Sequence, residues 1–383
     1  MSAQAISNRT RRIVLSGFFF FTGICFASWA SRIPDVKMQL GLNDAEFGGM
    51  LLFLPLGSFL GIPISGSLTS LYGSNRMLKI AAVLYPIALI MLGLSTNTWQ
   101  LGICLFFFGM AGNLYNVSVN TQAVVLAKSF EKSIISTFHG FWSLAGFAGG
   151  LVGGFFVAKQ MSVLSQFIVI AGVSYLFLVF AHSYLLQSEK NKQSLTKMWN
   201  KPSPLMLQFG FIALSNMICE GMMFDWSGVF FQDVAKVSNE LRTVGYISFM
   251  ACMTTGRMFA DKLITYWGAR KQLMLSGLLV TIGLIIAVSV PSLIVSAIGF
   301  MFVGFGVSSV IPTIYGSVGK SAAPGQASIA LASVSSVGFF GFLIGPPIIG
   351  FLSQGIGLRW AFLTVALLGL VTFIQAYRLK KYL

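Results

Sequence analysis

Ala27-Ser28-Trp29-Ala30-Ser31 and Phe224-Asp225-Trp226-Ser227-Gly228 are one short pattern met twice, at an offset of 197 residues. Working outward, Leu68 and Gly73 realign with Leu263 and Gly268 at an offset of 195, and Gly146, Gly149 and Gly153 with Gly338, Gly341 and Gly345 at 192. The second half of the chain is therefore a diverged copy of the first, and both copies are strongly apolar. Two similar multi-span halves able to rock about a site between them are the architecture expected of a secondary transporter.

Composition agrees. Hydrophobic residues make up 56% of the 383 and charged residues 9%, whereas a soluble domain carries about a quarter charged residues. Twelve apolar spans can be read: 13–31, 46–69, 77–95, 99–126, 135–158, 163–187, 205–231, 243–265, 271–290, 293–316, 327–353 and 358–379. Each is long enough to cross a hydrocarbon core of ~30 Å as a helix. The alternation of a β-barrel strand is missing from them. The sequence thus predicts an all-α membrane protein with a six-span bundle at 1–187, a polar linker at 188–204 and a second bundle at 205–383.

With the N-terminus placed inside, the inner connections and span ends, Arg257 and Lys262 among them, collect 19 of the 25 Lys and Arg residues. This bias predicts a membrane protein with both termini cytoplasmic. It also reads the net charge of +15 as a topology signal, with lipid headgroups rather than nucleic acid as the anionic neighbours. Arg11-Arg12 before an apolar run resembles the start of a signal peptide, but Trp29 belongs to the repeat and eleven spans follow, so cleavage is not expected. Cys25, Cys104, Cys219 and Cys252 lie inside apolar spans without paired spacing, which suggests neither a disulfide framework nor a metal. Gly319-Lys320-Ser321 lacks the first glycine of a phosphate loop, position 314 being Ile314, so no nucleotide-driven motor is expected. No cofactor is anticipated, and no nucleophile-base set points to an enzyme.

Gly66-Ser-Leu-Thr-Ser-Leu-Tyr-Gly73-Ser-Asn-Arg76 resembles the loop between spans 2 and 3 of the major facilitator superfamily, with Ser70 where that loop usually carries Asp. Gly256-Arg257-Met-Phe-Ala-Asp261 through Gly268-Ala-Arg270-Lys271 is its second-half version and keeps the acid. More narrowly, Ala27 to Pro34, His139 to Ser143, Glu220 to Ser227 and Gly338 to Pro347 are similar to the bacterial subgroup that includes the inner-membrane protein YbjJ, distantly like fucose permease. The resemblance implies two pseudo-symmetric six-helix bundles and alternating access. It implies a conformational latch formed by Gly66, Gly73, Arg76, Arg257, Asp261, Gly268 and Arg270, and a solute that is sugar-like.

Candidate site residues follow from the cost of polarity in lipid. Glu220 and Asp225 are acids inside span 7, where an ionisable group marks a cavity or a partner. They stand about 140° apart around the helix, so they need not face the same way. Glu220, the deeper, is the expected proton carrier; a structural ion pair is the competing reading. Asn113, Asn116 and Asn120 share one face of span 4 and suit a hydroxyl-rich or zwitterionic ligand, or serve as polar glue between helices. His139 fits proton handling or a hydrogen-bonded interface. Arg32 ends span 1 and either snorkels outward or pairs with Asp225 or a substrate carboxylate. Trp29 and Trp226 sit near the outer interface, which attracts Trp for solvation alone; the other reading is an aromatic platform for a sugar. The expectation is a monomeric, proton-coupled carrier of a small polar solute. The alternatives are an exporter of amphipathic compounds, allowed by the Phe18–Phe21 and Phe106–Phe108 runs, and a sensor on the same fold.

Overall fold

The computed structural model describes residues 7–130, 134–187, 203–321, 327–380 and 382. Most of the expected linker, 188–202, lies outside them. The described residues form helices and two short 3-10 turns: α1 (Asn8–Gln39), α2 (Asp44–Tyr72, with a turn at Leu52), α3 (Ser74–Gly93), α4 (Thr98–Ala127), α5 (Ile135–Ala158), α6 (Val163–Ala181), α7 (Pro204–Asp233), α8 (Val244–Trp267), α9 (Ala269–Ser289), α10 (Leu293–Ser321, with a turn at Ser309), α11 (Ala327–Ile356) and α12 (Leu358–Arg378). Eleven of these are long and apolar enough to cross a membrane. The other is α8, which is 24 residues long and carries Arg257, Asp261 and Lys262.

The predicted spans and the helices coincide to within five residues except at α6, which ends at Ala181, short of the expected 187, and at α1. That helix runs through Pro34 to Gln39, eight residues beyond the expected end. Proline removes one N–H but leaves the rest of the turn intact. The buried residues beyond position 31, Arg32, Ile33, Pro34 and Val36, hold the helical path.

Helix starts are set by local chemistry that recurs. Asn97 caps α4 by accepting from Gln100 N, and Ser292 caps α10 by accepting from Val295 N; the caps are 195 residues apart. Gly73 before α3 and Gly268 before α9, also 195 apart, both take positive φ, 86° and 79°, a conformation strained for any residue with a Cβ. Ser162 and Gly357, which precede α6 and α12, keep the same offset.

Packing repeats with it. A methyl on Gly109 of α4 would strike the Leu54 carbonyl of α2, and a methyl on Gly304 of α10 would strike the Phe249 carbonyl of α8. Both partners are 195 residues apart. Gly61 against Asn113 likewise matches Gly256 against Ser308. Small residues let membrane helices approach this closely, which supplies dispersion contact where lipid provides no hydrophobic drive between helices.

The chain divides into two compact units, residues 1–36 with 53–194 and residues 37–52 with 195–383. In the first, α1 lies on α5, with Gly149 facing Ala27 and Gly153 facing Ser31. In the second, α7 lies on α11, with Gly338 facing Ala213 and Gly341 facing Leu214. The core of the second unit includes Phe209, Ile212, Leu273, Ile314 and Val334. The phenylalanine runs are split between core and surface: Phe18, Phe19 and Phe108 are buried, whereas Phe107 is exposed. Exposed apolar side chains such as Ile103, Phe107, Leu176 and Phe180 suit a lipid environment and would be poorly tolerated in such density in water.

Candidate functional site

In the second unit, Glu220 occupies the middle of α7 and is 4% exposed. Its Oε1 receives a hydrogen bond from Arg257 Nη2 of α8 at 3.0 Å. Its Oε2 receives one from Asn216 Nδ2, one turn earlier on α7, at 3.4 Å. Both carboxylate oxygens are thus held by donors. The Arg257 side chain is 24% exposed against 5% for that of Glu220, so the cation is the more accessible partner. Asn216 also lines a small cavity of about 10 Å³ with Ser215, Cys219, Ser276 and Thr372.

Arg257 sits inside α8 as the counter-charge of Glu220. Asp261 is also within α8 rather than at a loop end. The remaining latch residues divide. Gly73 and Gly268 set the sharp helix starts. Gly66 lies within α2, and a methyl there would meet nothing. Arg76 stacks on Tyr72 at 5.8 Å. Arg270 stacks on Tyr377 at 5.0 Å and donates to its carbonyl.

Asp225 lies five positions along α7 from Glu220 and is within electrostatic reach of Tyr246 of α8. The Tyr246 hydroxyl is buried with no hydrogen-bond partner among the described residues, as are the indole nitrogens of Trp226 and Trp29. Both tryptophans are 0% exposed, so neither is the interfacial anchor its position near a span end suggested. The Trp226 ring meets Phe47 edge-on at 5.8 Å.

In the first unit, Asn113, Asn116 and Asn120 follow one another along α4 but are differently placed. The Asn113 Oδ1 is buried with no hydrogen-bond partner among the described residues. Asn116 is exposed and accepts from Asn120 Nδ2 at 2.9 Å through both its carbonyl and its side chain. The fourth amide of that helix, Gln122, is structural: it donates to Ser74 Oγ at 2.8 Å and exchanges hydrogen bonds with the Leu186 backbone. His139 is exposed and meets Phe19 edge-on at 5.5 Å.

Arg32 does not snorkel. It is 1% exposed, pairs with Asp35 at 3.3 Å and donates to the Met161 carbonyl between α5 and α6. That contact ties α1 to a neighbouring turn. Sequence reasoning also missed a cluster in the second unit. Lys37 pairs with Asp44 and, at 3.4 Å, with Asp233, while Ser353 of α11 donates to Asp44.

The helices, their recurring contacts at a 195-residue offset and a charged pair held between two of them are accompanied by a matching sequence profile. The profile of the Major Facilitator Superfamily matches residues 13–264 and 243–382. The chain belongs to the major facilitator superfamily. It is 32% identical over 358 residues to an uncharacterized MFS-type transporter of Yersinia pestis, covering 94% of this chain and 93% of that protein. It is 30% identical to the membrane protein MosC of Rhizobium meliloti, covering 92% and 86%. The fold is similar to that of the nucleoside transporter NupG, with a TM-score of 0.78 and 14% identity over 97% of this chain and 100% of that one. It is also similar to that of a bacterial homolog of the human lysosomal transporter Spinster in an inward-facing, occupied conformation, with a TM-score of 0.77 and 12% identity over 97% and 96%. The facilitator is accordingly a multi-pass membrane transporter of a small-molecule substrate.

Proposed function

We propose that this facilitator moves a small polar solute across the bacterial inner membrane by alternating access, driven by protons that bind Glu220. In this reading the chain acts as a monomer of two six-helix bundles, 1–187 and 205–383, joined by a cytoplasmic linker at 188–204, with both termini cytoplasmic.

The observation that carries the proposal is the Glu220–Arg257 pair. An isolated charge in a membrane helix is costly, so the two stand or fall together. Protonation of Glu220 dissolves the pair and changes which groups Arg257 can engage. A site with two charge arrangements is what coupling needs, because an ion can bias a conformational equilibrium only through different affinities for its two states. Asn113, with an unmatched buried oxygen, and Asn116 are the residues of the first unit offered to the polar solute.

The test is uptake into proteoliposomes with and without an imposed pH gradient. Glu220→Gln is expected to abolish uphill accumulation, to flatten the pH dependence and to retain exchange. Gradient-driven accumulation equal to wild type in this variant would reject Glu220 as the coupling group.

A further inference from the structure

We propose that the solute carries a protonated amine, bound by the carboxylate of Asp225 on α7 and the hydroxyl of Tyr246 on α8. This names the charged group of the polar solute inferred above and rests on that reading only for the solute's being transported. The site lies within the second unit and uses neither Glu220 nor its arginine.

Asp225 is placed to meet a ligand where Glu220 is not. From Ile218 to Phe231 the positions of α7 that are not buried are Asp225 and Gly228 alone. At i and i+3 they share one side of the helix, and Gly228 has no side chain with which to cover the acid. Phe224 and Trp226, the neighbours of Asp225 in sequence, are both buried. The accessible part of this half of α7 is thus centred on a carboxylate. Among the described residues that carboxylate makes no hydrogen bond and no ion pair. A membrane helix carries an ionisable group at a high cost unless a partner or a ligand meets it.

A second group points to the same place. Tyr246 is 1% exposed, and its hydroxyl is buried with no hydrogen-bond partner among the described residues. It lies within electrostatic reach of Asp225. A buried hydroxyl left unsatisfied is itself unfavourable. The acid and the hydroxyl are therefore near each other without being bonded to each other. A group that donates in several directions satisfies both oxygens at once, and an ammonium does so. Its positive charge also supplies what the carboxylate lacks.

The kind of cation follows from the surroundings. Sodium sites in transporters draw on carbonyls freed where a helix unwinds, but α7 is continuous from Pro204 to Asp233. Aromatic rings stand beside the acid instead. Phe224 lies 6.3 Å from Tyr246 and meets Phe249 edge-on at 5.7 Å. Such rings favour an organic cation. The basic side chains of α8 are committed elsewhere: Arg242 donates to Gln232 and Arg257 to Glu220.

The experiment measures thermal unfolding of the purified full chain in detergent at pH 7 and constant ionic strength. The probes are matched pairs: glucosamine with glucose, ethanolamine with ethylene glycol, and putrescine with 1,4-butanediol. Sodium chloride and tetramethylammonium chloride are the controls. At least one amine is expected to raise the unfolding temperature, while its hydroxyl partner and both salts have no effect. Asp225→Asn should weaken the apparent Kd for that amine by about a hundredfold, and Tyr246→Phe by about tenfold. Tyr246→Phe keeps every charge and ring, so it decides the matter if Asp225→Asn is not recovered folded. The inference is overturned by no response to any of the three amines, by an equal response to their hydroxyl partners, or by an amine affinity unchanged in either variant. Stabilisation by sodium alone, lost in Asp225→Asn, would reassign the site to a metal ion and overturn it as well. None of these arms needs a proton gradient. An amine that binds through Asp225 but is not accumulated under a pH gradient would reject proton coupling and leave the site; gradient-driven uptake of a neutral solute without amine binding would do the reverse.

Discussion

Glu220 was legible as a candidate because it is an acid deep in a long apolar run; its pairing with Arg257 was not. In the sequence Arg257 falls among basic residues that obey the positive-inside bias, next to Asp261 and Lys262 in a motif normally found at a membrane surface. Only the packing of α7 on α8 shows that it answers Glu220. The signal that could have found it is charge balance: a buried acid in a membrane span requires a base, and Arg257 is a cation well inside the neighbouring helix. Arg257→Gln is expected to leave Glu220 unpaired and to cost about 3–5 kcal/mol at neutral pH. The double variant Glu220→Gln/Arg257→Gln should recover most of that loss, since two neutral amides can replace a buried pair at little net cost. Thermal unfolding of the three proteins checks both outcomes, and a double variant no more stable than Arg257→Gln would show that the pair is not what holds α7 to α8. The tryptophans teach the complementary lesson. Their place near predicted span ends suggested interfacial anchors, but α1 continues to Gln39 and α7 to Asp233, which carries both rings inside.

Between elements, the repeat is readable in the order of residues alone, because glycine spacing records where helices touch. The offset of 195 seen at Gly73 and Gly268 recurs at three pairs of helix starts and at the Gly109 and Gly304 crossings. Gly109→Val and Gly304→Val should each destabilise the protein by about 1–3 kcal/mol or more, through overpacking, and by similar amounts because the crossings correspond. A chemical-denaturation series on both variants tests this, and a large loss for one with none for the other would argue that the crossings are not equivalent. The Lys37 cluster was not readable, since its members are spread over the end of α1, the start of α2, the end of α7 and α11. Here Asp44 is the central member: it engages both Lys37 and Ser353 and is 20% exposed, whereas Asp233 reaches Lys37 at 3.4 Å and is 43% exposed. Asp44→Ala is therefore expected to lower the unfolding temperature by several degrees, in keeping with a charged hydrogen bond worth about 1.5–3 kcal/mol. Asp233→Ala should stay near wild type, as exposed pairs contribute about 0–1 kcal/mol. Reversal of that order in a melting experiment would relocate the centre of the cluster.

At the scale of the whole molecule, topology follows from the distribution of basic residues, and a protease site placed after Gln193 tests it. Cleavage is expected in inside-out vesicles and not in right-side-out ones; the opposite result would invert the orientation proposed for every connection. What the sequence could not convey is that residues 37–52 pack with the second unit rather than the first, because a hydrophobic pattern reports that a face is buried without saying against what. Gly48 lies against Gly350 and the Pro346 carbonyl, roughly 300 residues later in the chain. At about 5–20 residues per second, the ribosome needs on the order of fifteen seconds to a minute to deliver the partner of a segment made near the beginning. During that interval the start of α2 lacks its native neighbour, so the N-terminal portion cannot mature as a finished object and wait. The duplication visible in the sequence suggests two modules that could be produced in succession. Biogenesis is instead closed from the far end, and a nascent chain that stalls before α11 leaves its earliest helices without the surface they were shaped to meet.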